Sequence, residues 1–384
     1  MKRRTFIKSG SVAAISVATP LAGFSGNPSI GEPEKEKNMV KFTRDGLDLS
    51  TREYSALLNE IVDTNGIEAD SYSRFGVVEE LEKRMAEILG KESAVFMPTG
   101  TLANNIAVRE LSGSDDRVIV QTESHLYNDS GDCAQKLSNL NLIPLAPGKA
   151  TFSLDEVKDA VERTKKGRVK TGVGVISIES PVRRKDNEIF GFETMKNITD
   201  YARKNGIRLH LDGARMFNAC IHSGKNPAEF AAMFDTVYVS LYKDFNAASG
   251  AILAGTKEFT KELFHVRRMF GGGMPQVWPF AAVALHYIDS FLTDYTESVK
   301  RAEKLFALLE KSPAFKIEKI VNGTNVFKLH TDITDREKFR NNLKDRNIVI
   351  PEPDKSFEGF KMKINPTLLR STHEKIAGAF FESI

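Results

Sequence analysis

The chain has 384 residues, of which 41% are hydrophobic and 27% charged, and its formal net charge is +3. This composition is typical of a soluble globular protein with a sizeable core, and the mixing of basic with acidic residues argues against a nucleic-acid-binding protein. The two cysteines, Cys133 and Cys220, form no CxxC motif or Cys/His cluster. A disulfide framework and a zinc site are therefore not expected, although one isolated disulfide stays open for an exported protein.

The first residues, MKRRTFIK, contain an arginine pair, Arg3 and Arg4, followed by a phenylalanine and a lysine. The modestly apolar segment 12–24 comes next and is too short and too rich in small polar residues for a membrane helix. This layout resembles a twin-arginine export signal. We therefore expect residues 1–38 to be a signal and linker and the protein to be periplasmic, with a cytoplasmic location as the alternative.

Short apolar runs and amphipathic segments alternate along the middle of the chain. The spacing of apolar residues from Gly76 to Leu89 and in FSLDEVKDAVERT and FETMKNITDYARKN predicts helices. Ser153 and Glu156 have the spacing of a capping box. Strands are predicted for SAVFM, RVIVQ, LNLIPLA, GVGVISIE, IRLHLD, TVYVSLY and GAILAG.

Strands separated by helices predict an α/β fold with a mainly parallel sheet and helices on both faces. After about Asp289 the pattern changes to a helix from Thr296 to Leu309, then short strands and further helices. This pattern is typical of a smaller α+β domain. We therefore predict a large domain over residues 39–290 and a small C-terminal domain over residues 291–384.

Polar residues stand at the ends of four of the predicted strands. The Thr99–Thr101 turn follows SAVFM, Glu179 ends GVGVISIE, Asp212 ends IRLHLD, and Lys243 ends TVYVSLY. Ligands of open α/β sheets bind beyond the carboxyl ends of the strands, so these residues are candidates for one site. Lys243 is notable because it separates two apolar runs, where an unpaired ammonium is costly to bury. It either reaches solvent at the strand end or takes part in chemistry.

Asp212 and Lys243 are the pair that pyridoxal phosphate (PLP) requires. The lysine amine forms a Schiff base with the cofactor, and the carboxylate keeps the pyridine nitrogen protonated. The Thr99–Thr101 turn opens a predicted helix, where free N–H groups and the helix dipole favour a phosphate. No P-loop or G-x-G-x-x-G spacing is present in the chain.

Four motifs carry a family resemblance when they are taken together in order and spacing. FMPTGTLANNIAVR, LHLDGARMFNA, VYVSLYK and RRMFGGGMPQ resemble the L-threonine aldolase and β-eliminating lyase family of PLP enzymes with the aspartate aminotransferase fold, fold type I. The resemblance extends from about Val40 to Asp289 and is weaker beyond it. It implies a PLP-binding large domain and, by analogy, a homodimer or homotetramer.

The resemblance implies roles for individual residues. Lys243 matches the lysine that binds the cofactor covalently, Asp212 the partner of the pyridine nitrogen, and Arg215 the arginine that binds the substrate carboxylate. His125, in ESHLYND, matches a histidine that stacks on the cofactor ring and is a candidate for handling the β-hydroxyl proton. The residues expected to bind the cofactor are Thr99, Gly100, Thr101, His125, Glu179, Asp212, Arg215 and Lys243.

The substrate half of the expected site departs from the family pattern. The family often has E-N-T-H where this chain has Glu179 followed by SPV, and the family's Y-G-D-D-P-T is reduced here to Tyr72. Tyr72 and Arg183 are predicted substrate contacts beside Arg215. A second carboxylate-binding arginine is not evident near FKMKINPTLLR, and neither Lys363 nor Arg370 is assigned that role. No metal ligand is predicted.

The sequence therefore predicts a PLP-dependent aldolase with catalytic residues Lys243 and His125. Its substrate is expected to be a β-hydroxy-α-amino acid, such as L-threonine or L-allo-threonine, that is cleaved to glycine and an aldehyde. A β-eliminating lyase, a racemase, and a non-catalytic exported binding protein of the same fold are the alternatives. The expected partner is a small amino acid, with no nucleic acid and no stable membrane insertion after processing.

Overall fold

The computed structural model describes residues 38–169 and 171–384. The predicted export signal, up to residue 37, lies outside them. The strands are β1 (Val40–Lys41), β2 (Ser93–Met97), β3 (Arg117–Gln121), β4 (Asn141–Leu145), β5 (Val173–Glu179), β6 (Arg208–Asp212), β7 (Thr236–Ser240), β8 (Ala251–Gly255), β9 (Phe315–Lys319), β10 (Val326–Thr331), β11 (Ile348–Val349) and β12 (Gly359–Lys363).

The helices alternate with these strands through most of the chain. They are α1 (Thr51–Asn65), α2 (Gly76–Leu89), α3 (Gly100–Ser112), α4 (His125–Asn128), α5 (Cys133–Ser138), α6 (Leu154–Lys165), α7 (Phe192–Lys204), α8 (Met216–Ser223), α9 (Pro227–Ala231), α10 (Lys257–Thr260), α11 (Leu263–Met269), α12 (Trp278–Ile288), α13 (Phe291–Leu309), α14 (Arg336–Asp345) and α15 (His373–Phe381). Among the described residues, no helix has both the length and the apolar character needed to span a bilayer.

A seven-stranded sheet in the order β2-β8-β7-β6-β5-β3-β4 forms the centre of the protein. The pairs from β7 to β4 are parallel, whereas β8 runs antiparallel to both β7 and β2. Every residue of β5 and β7 is buried, as expected for strands with helices on both faces. The predicted α/β class with a mainly parallel sheet is confirmed.

Local sequence signals account for where the helices begin. Ser153 caps α6, and Glu156 completes the predicted capping box by accepting the backbone N–H of Ser153 at 2.7 Å. Thr99 caps α3 by accepting the N–H of Leu102 at 3.2 Å. The cap on α3 fixes the direction in which that helix leaves the sheet.

The C-terminal part of the chain contains an antiparallel sheet in the order β12-β10-β9. Helix α13 packs beside it and begins at Phe291, earlier than the predicted Thr296. The predicted division near residue 290 stays a prediction, but β1 pairs in parallel with β11. The first described strand is therefore paired with the C-terminal region, and the segment after β1 lies between that region and the central sheet.

Both cysteines are buried and free, so neither forms a disulfide within the described chain.

Candidate active site

A cavity of about 1060 Å³ lies beyond the carboxyl ends of β5, β6 and β7. These strands are parallel, and β2 points in the same direction because it is separated from β7 by the antiparallel β8. The four polar strand ends therefore lie at one edge of the sheet. The predicted site residues that line the cavity are Thr99, Gly100, Thr101, His125, Glu179, Arg183, Asp212, Arg215 and Lys243.

The start of α3 forms one wall of the cavity. The first N–H groups of a helix have no acceptor within the helix, so those of Gly100 and Thr101 are available to an anion. Gly100 also lies close to Tyr238, and a Cβ at this position would fall 1.9 Å from the Tyr238 hydroxyl. Only glycine therefore allows the helix to begin this close to β7.

Asp212 lies at the end of β6 with both carboxylate oxygens engaged. Oδ2 accepts a hydrogen bond from Asn104 Nδ2 at 2.6 Å, and Oδ1 accepts the backbone N–H of Ala214 at 3.2 Å. The Asn104 contact comes from α3, one turn after the anion-binding start of the helix. Asp212 is thus held by a second element and lines the cavity with a fixed carboxylate.

Lys243 lies in the turn that follows β7 and is half-buried. Its Nζ makes no hydrogen bond or ion pair with any residue that the structure describes, and it lies 4.9 Å from the centre of the Tyr242 ring. The neighbouring Asp244 is buried, and burial raises the pKa of its carboxyl to about 8. The lysine amine is therefore free to react with a group in the cavity.

Glu179 shapes the cavity wall that carries His125. Its two carboxylate oxygens accept the backbone N–H groups of His125 at 2.6 Å and of Arg183 at 2.9 Å. Burial, with the adjacent Asp212, raises the pKa of Glu179 to about 7. Because it ties two loops together at their backbones, Glu179 positions His125 at the cavity.

The imidazole of His125 faces the start of α3. Its Nε2 lies 3.3 Å from the Thr101 hydroxyl, and its Nδ1 lies 3.9 Å from an oxygen of Asp129. Burial lowers the pKa of His125, with Asp212 acting in the opposite direction. A neutral imidazole at this position can accept a proton.

Arg215 lies in a buried charge cluster that the sequence did not reveal. Its Nε donates to Asp45 Oδ2 at 3.0 Å, while Asp45 Oδ1 accepts from Lys363 Nζ at 2.8 Å and Asn325 Nδ2 at 3.1 Å. The two cations hold the pKa of Asp45 well below its usual range against the opposing effect of burial. One carboxylate between two cations leaves a net positive charge, which suits an incoming carboxylate.

The approach of Asp45 to this cluster depends on Gly46. A Cβ at Gly46 would lie 2.3 Å from the backbone oxygen of Lys243, so the segment after β1 packs directly on the lysine turn. Lys363 comes from β12, in the C-terminal sheet. The cluster therefore joins three distant parts of the chain beside Lys243.

The other two predicted substrate residues differ in position. Arg183 lines the cavity and pairs with Asp129, which also pairs with Arg184 at 2.8 Å. Tyr72 does not line this cavity. Its ring is 43% exposed and lies under the guanidinium of Arg268 at 4.9 Å. Within one chain, Tyr72 is not brought together with Arg215.

The arrangement fits PLP as a ligand. An unpaired amine at Lys243, a fixed carboxylate at Asp212 and a helix start at Gly100 match the aldehyde, pyridine nitrogen and phosphate of that cofactor. When PLP is bound, Lys243 would hold it covalently and Asp212 would hold its ring nitrogen. The described residues contain no cluster of His, Cys, Asp or Glu suited to a metal ion.

Sequence reasoning missed Asp45 and Asn104 and left Lys363 unassigned. Asn104 had a usable signal, since it lies four residues after Gly100 and therefore on the same helical face as the phosphate site. Asp45 and Lys363 had none, because their roles depend on the pairing of β1 with β11 and on the position of β12.

The chain is similar to known proteins over most of its length. The beta-eliminating lyase family model matches residues 58–331. The low-specificity L-threonine aldolase of Candida albicans is 29% identical over 250 residues, which are 64% of this chain and 66% of that protein. The low-specificity L-threonine aldolase 1 of Arabidopsis thaliana is 27% identical over 305 residues, which are 77% of this chain and 82% of that protein.

A solved structure from Listeria monocytogenes has a similar fold over nearly its whole length. The protein, assigned as an L-allo-threonine aldolase, superposes with a TM-score of 0.74 at 25% sequence identity. The match covers 91% of this chain and 99% of the Listeria chain.

Proposed function

The chain belongs to the beta-eliminating lyase family, and from this we propose that it is a PLP-dependent lyase that cleaves a β-hydroxy-α-amino acid, such as L-threonine or L-allo-threonine, to glycine and an aldehyde. The observation that carries the proposal is the convergence of Lys243, Asp212 and the start of α3 on one cavity. The names of the relatives support this choice of reaction.

PLP, when bound, draws electrons from the substrate α-carbon and so weakens the bonds to it. The residues of this chain supply binding and orientation. Lys243 and Asp212 would hold the cofactor, and the start of α3 would bind its phosphate. Arg215, kept in place by Asp45, binds the substrate carboxylate. By fixing the carboxylate, it orients the Cα–Cβ bond for cleavage.

His125 handles the proton of the β-hydroxyl group. With the Nδ1 proton facing Asp129, the lone pair at Nε2 lies beside Thr101 and can accept that proton. Transfer of the proton, cleavage of Cα–Cβ and reprotonation at Cα give the aldehyde and glycine. Glu179 contributes by keeping the His125 backbone in position.

The proposal is tested by product analysis with the purified, PLP-loaded protein. L-threonine, L-allo-threonine and L-serine are supplied as substrates. Three sets of products are then quantified: glycine and aldehyde from aldol cleavage, a 2-oxo acid and ammonia from elimination, and the D-enantiomer from racemisation. We expect glycine and aldehyde in equal amounts. A 2-oxo acid or a D-amino acid as the main product would replace the aldolase with an eliminating lyase or a racemase, and no product with bound PLP would favour the binding protein.

The location of the protein is part of the proposal. The arginine pair, the phenylalanine and the lysine near the N-terminus support export by the twin-arginine route, which carries folded proteins and so suits a cofactor-loaded enzyme. Residues 1–38 fused to a reporter should direct it to the periplasm. Replacing Arg3 and Arg4 by lysine should retain the reporter in the cytoplasm, and cytoplasmic retention of the unaltered fusion would contradict export.

Assembly into a homodimer or homotetramer is also proposed. Three large side chains are strongly exposed, namely Tyr72 at 43%, Phe75 at 55% and Met269 at 66%. The guanidinium of Arg268 covers the Tyr72 ring, and that of Arg74 lies 5.0 Å from the Phe75 ring. Large exposed side chains of this kind suit contact with a second copy of the chain. The assembly state of the wild type and of Phe75→Ser is compared by sedimentation. A monomeric wild type would contradict the proposed assembly.

A further inference from the structure

We propose that Asn104 is a positioning residue that fixes the orientation of the Asp212 carboxylate and thereby the affinity for PLP. Three polar side chains behind Asp212 are buried and form a continuous chain of hydrogen bonds. Asn104 Nδ2 lies 2.6 Å from Asp212 Oδ2, His210 Nε2 lies 2.9 Å from Asn104 Oδ1, and His210 Nδ1 lies 2.8 Å from Thr236 Oγ1. The proposal rests on the proposed function only in taking PLP as the ligand.

The chemistry of the groups sets the direction of each bond. An ionised Asp212 only accepts hydrogen bonds, so Asn104 presents its NH₂ group to the carboxylate and its oxygen to His210. His210 then donates from Nε2, and its Nδ1 accepts from the Thr236 hydroxyl. Burial lowers the pKa of His210 to about 4, so the imidazole is neutral and carries one ring proton. Each of the three hydrogen bonds then joins one donor to one acceptor.

The opposite arrangement conflicts with an ionised Asp212. If the His210 proton were on Nδ1, Nε2 would offer a lone pair to Asn104, and the amide would turn its NH₂ toward the histidine. The amide oxygen would then face the Asp212 carboxylate, which only a protonated Asp212 could tolerate. Only the first arrangement of Asn104, His210 and Thr236 therefore lets the amide donate to an Asp212 carboxylate, which is the form that can hold a protonated pyridine nitrogen.

The position of Asn104 also couples the two ends of the cofactor site. Asn104 lies on α3, one turn after the Gly100 N-terminus that faces the cavity, so a single rigid helix holds both the phosphate position and Asp212. Asn104 occupies Oδ2, which leaves Oδ1, with only the Ala214 N–H on it, for the ring nitrogen. Loss of Asn104 would free Asp212 to rotate while the phosphate position remained.

The experiment compares Asn104→Ala with Asn105→Ala. Asn105 is a matched control because it is on the same helix and also buried, but its Oδ1 accepts from Ser138 Oγ at 3.1 Å and it makes no hydrogen bond to Asp212. Affinity for added PLP is measured on the apoprotein from the visible absorbance, alongside the melting temperature. We expect Asn104→Ala to weaken PLP binding by roughly tenfold or more relative to Asn105→Ala, since a hydrogen bond to a charged group is lost.

A second variant, Asn104→Asp, gives a readout that a purely structural role would not change. An aspartate at this position donates to Asp212 only while the two carboxyls share a proton. PLP affinity is measured over a pH series that rises from about 6 to about 8.5. Over this series we expect the affinity of Asn104→Asp to fall by roughly tenfold more than that of the wild type. This variant decides the question if Asn104→Ala does not fold.

Each outcome bears on the proposal separately from the aldolase assignment. Equal PLP affinities of Asn104→Ala and Asn105→Ala, or an Asn104→Asp affinity with the pH dependence of the wild type, would overturn the positioning role. A wild type that binds PLP but releases no glycine would overturn the aldolase assignment and leave this role intact. A wild type that binds no PLP would overturn both.

Discussion

The cofactor half and the substrate half of the cavity are built in different ways. In the cofactor half, Lys243, Asp212 and the start of α3 follow strands of one sheet, so their positions are set by a regular scaffold. In the substrate half, Arg215 depends on Asp45 and Lys363, which reach the cavity from the segment after β1 and from the C-terminal sheet. The first half is therefore positioned by one sheet, whereas the second depends on segments outside it.

The largest expected effect tests the cofactor half. In Lys243→Ala, the activity should fall by at least about a thousandfold, because the covalent attachment of PLP and its proton transfers are lost. Borohydride reduction followed by peptide mass analysis should then find no cofactor attached to the chain. Lys243→Arg is the matched control, since it keeps the positive charge but cannot form the same bond. Comparable activity in either variant would mean that Lys243 has been assigned wrongly.

A smaller effect is expected in the substrate half. Asp45→Asn leaves Arg215 and Lys363 without their shared carboxylate, so kcat/KM should fall by roughly tenfold to a hundredfold, mainly through KM. The affinity for PLP should stay close to that of the wild type, and this separates the two halves. Lys363→Met provides a milder comparison because Arg215 keeps its partner. A loss of PLP binding as large as the loss in kcat/KM would show that the halves are not independent.

The smallest expected effect is a difference in the pH dependence of stability. Burial lowers the pKa of His210 to about 4 in the fold from its ordinary value of 6.5, so the unfolded chain binds more protons and stability is lost as pH falls from 6.5 toward 4. Lowering the pH from 7.5 to 5 should therefore reduce the free-energy cost of His210→Gln by about 2 kcal/mol. Denaturant unfolding at the two pH values measures it.

The stability contribution of Asp45 has a different pH dependence from that of His210. The pKa of Asp45 is lowered in the fold, so the stability that it contributes is present above the ordinary aspartate value of 3.8 and is lost only as pH falls below it. The titration of Asp45 itself should consequently add no difference between the costs of Asp45→Asn at about pH 7.5 and about pH 5. Any difference between the two values comes from Asp244, because Asp45 helps to raise the pKa of Asp244 to about 8. Glu179, with a raised pKa, changes stability in the other direction over the same range, but it is present in every variant and cancels from the differences.

The sequence predicted most of the central fold and of the cofactor half from local signals. The strand ends at Glu179 and Asp212 were placed correctly, because a strand has a short, regular apolar pattern and its end is marked by a polar residue. The third strand end was placed too late, because β7 ends at Ser240 and Lys243 lies in the turn that follows. The start of α3 was equally visible, since a Thr-Gly-Thr turn after a strand marks a helix cap. The predicted start of helix α13 was too late, because the first turn of the helix, from Phe291, is itself apolar.

By itself the sequence determined which residues can perform the chemistry, because side-chain type and position relative to a strand end or helix start are local properties. Only the tertiary structure decided which charges hold Arg215 and which amide holds Asp212. Those partners, Asp45, Lys363 and Asn104, are chosen by the packing of β1, β12 and α3 around the cavity. Burial then makes the pairing matter, because a charge removed from water needs a nearby partner that no local pattern specifies.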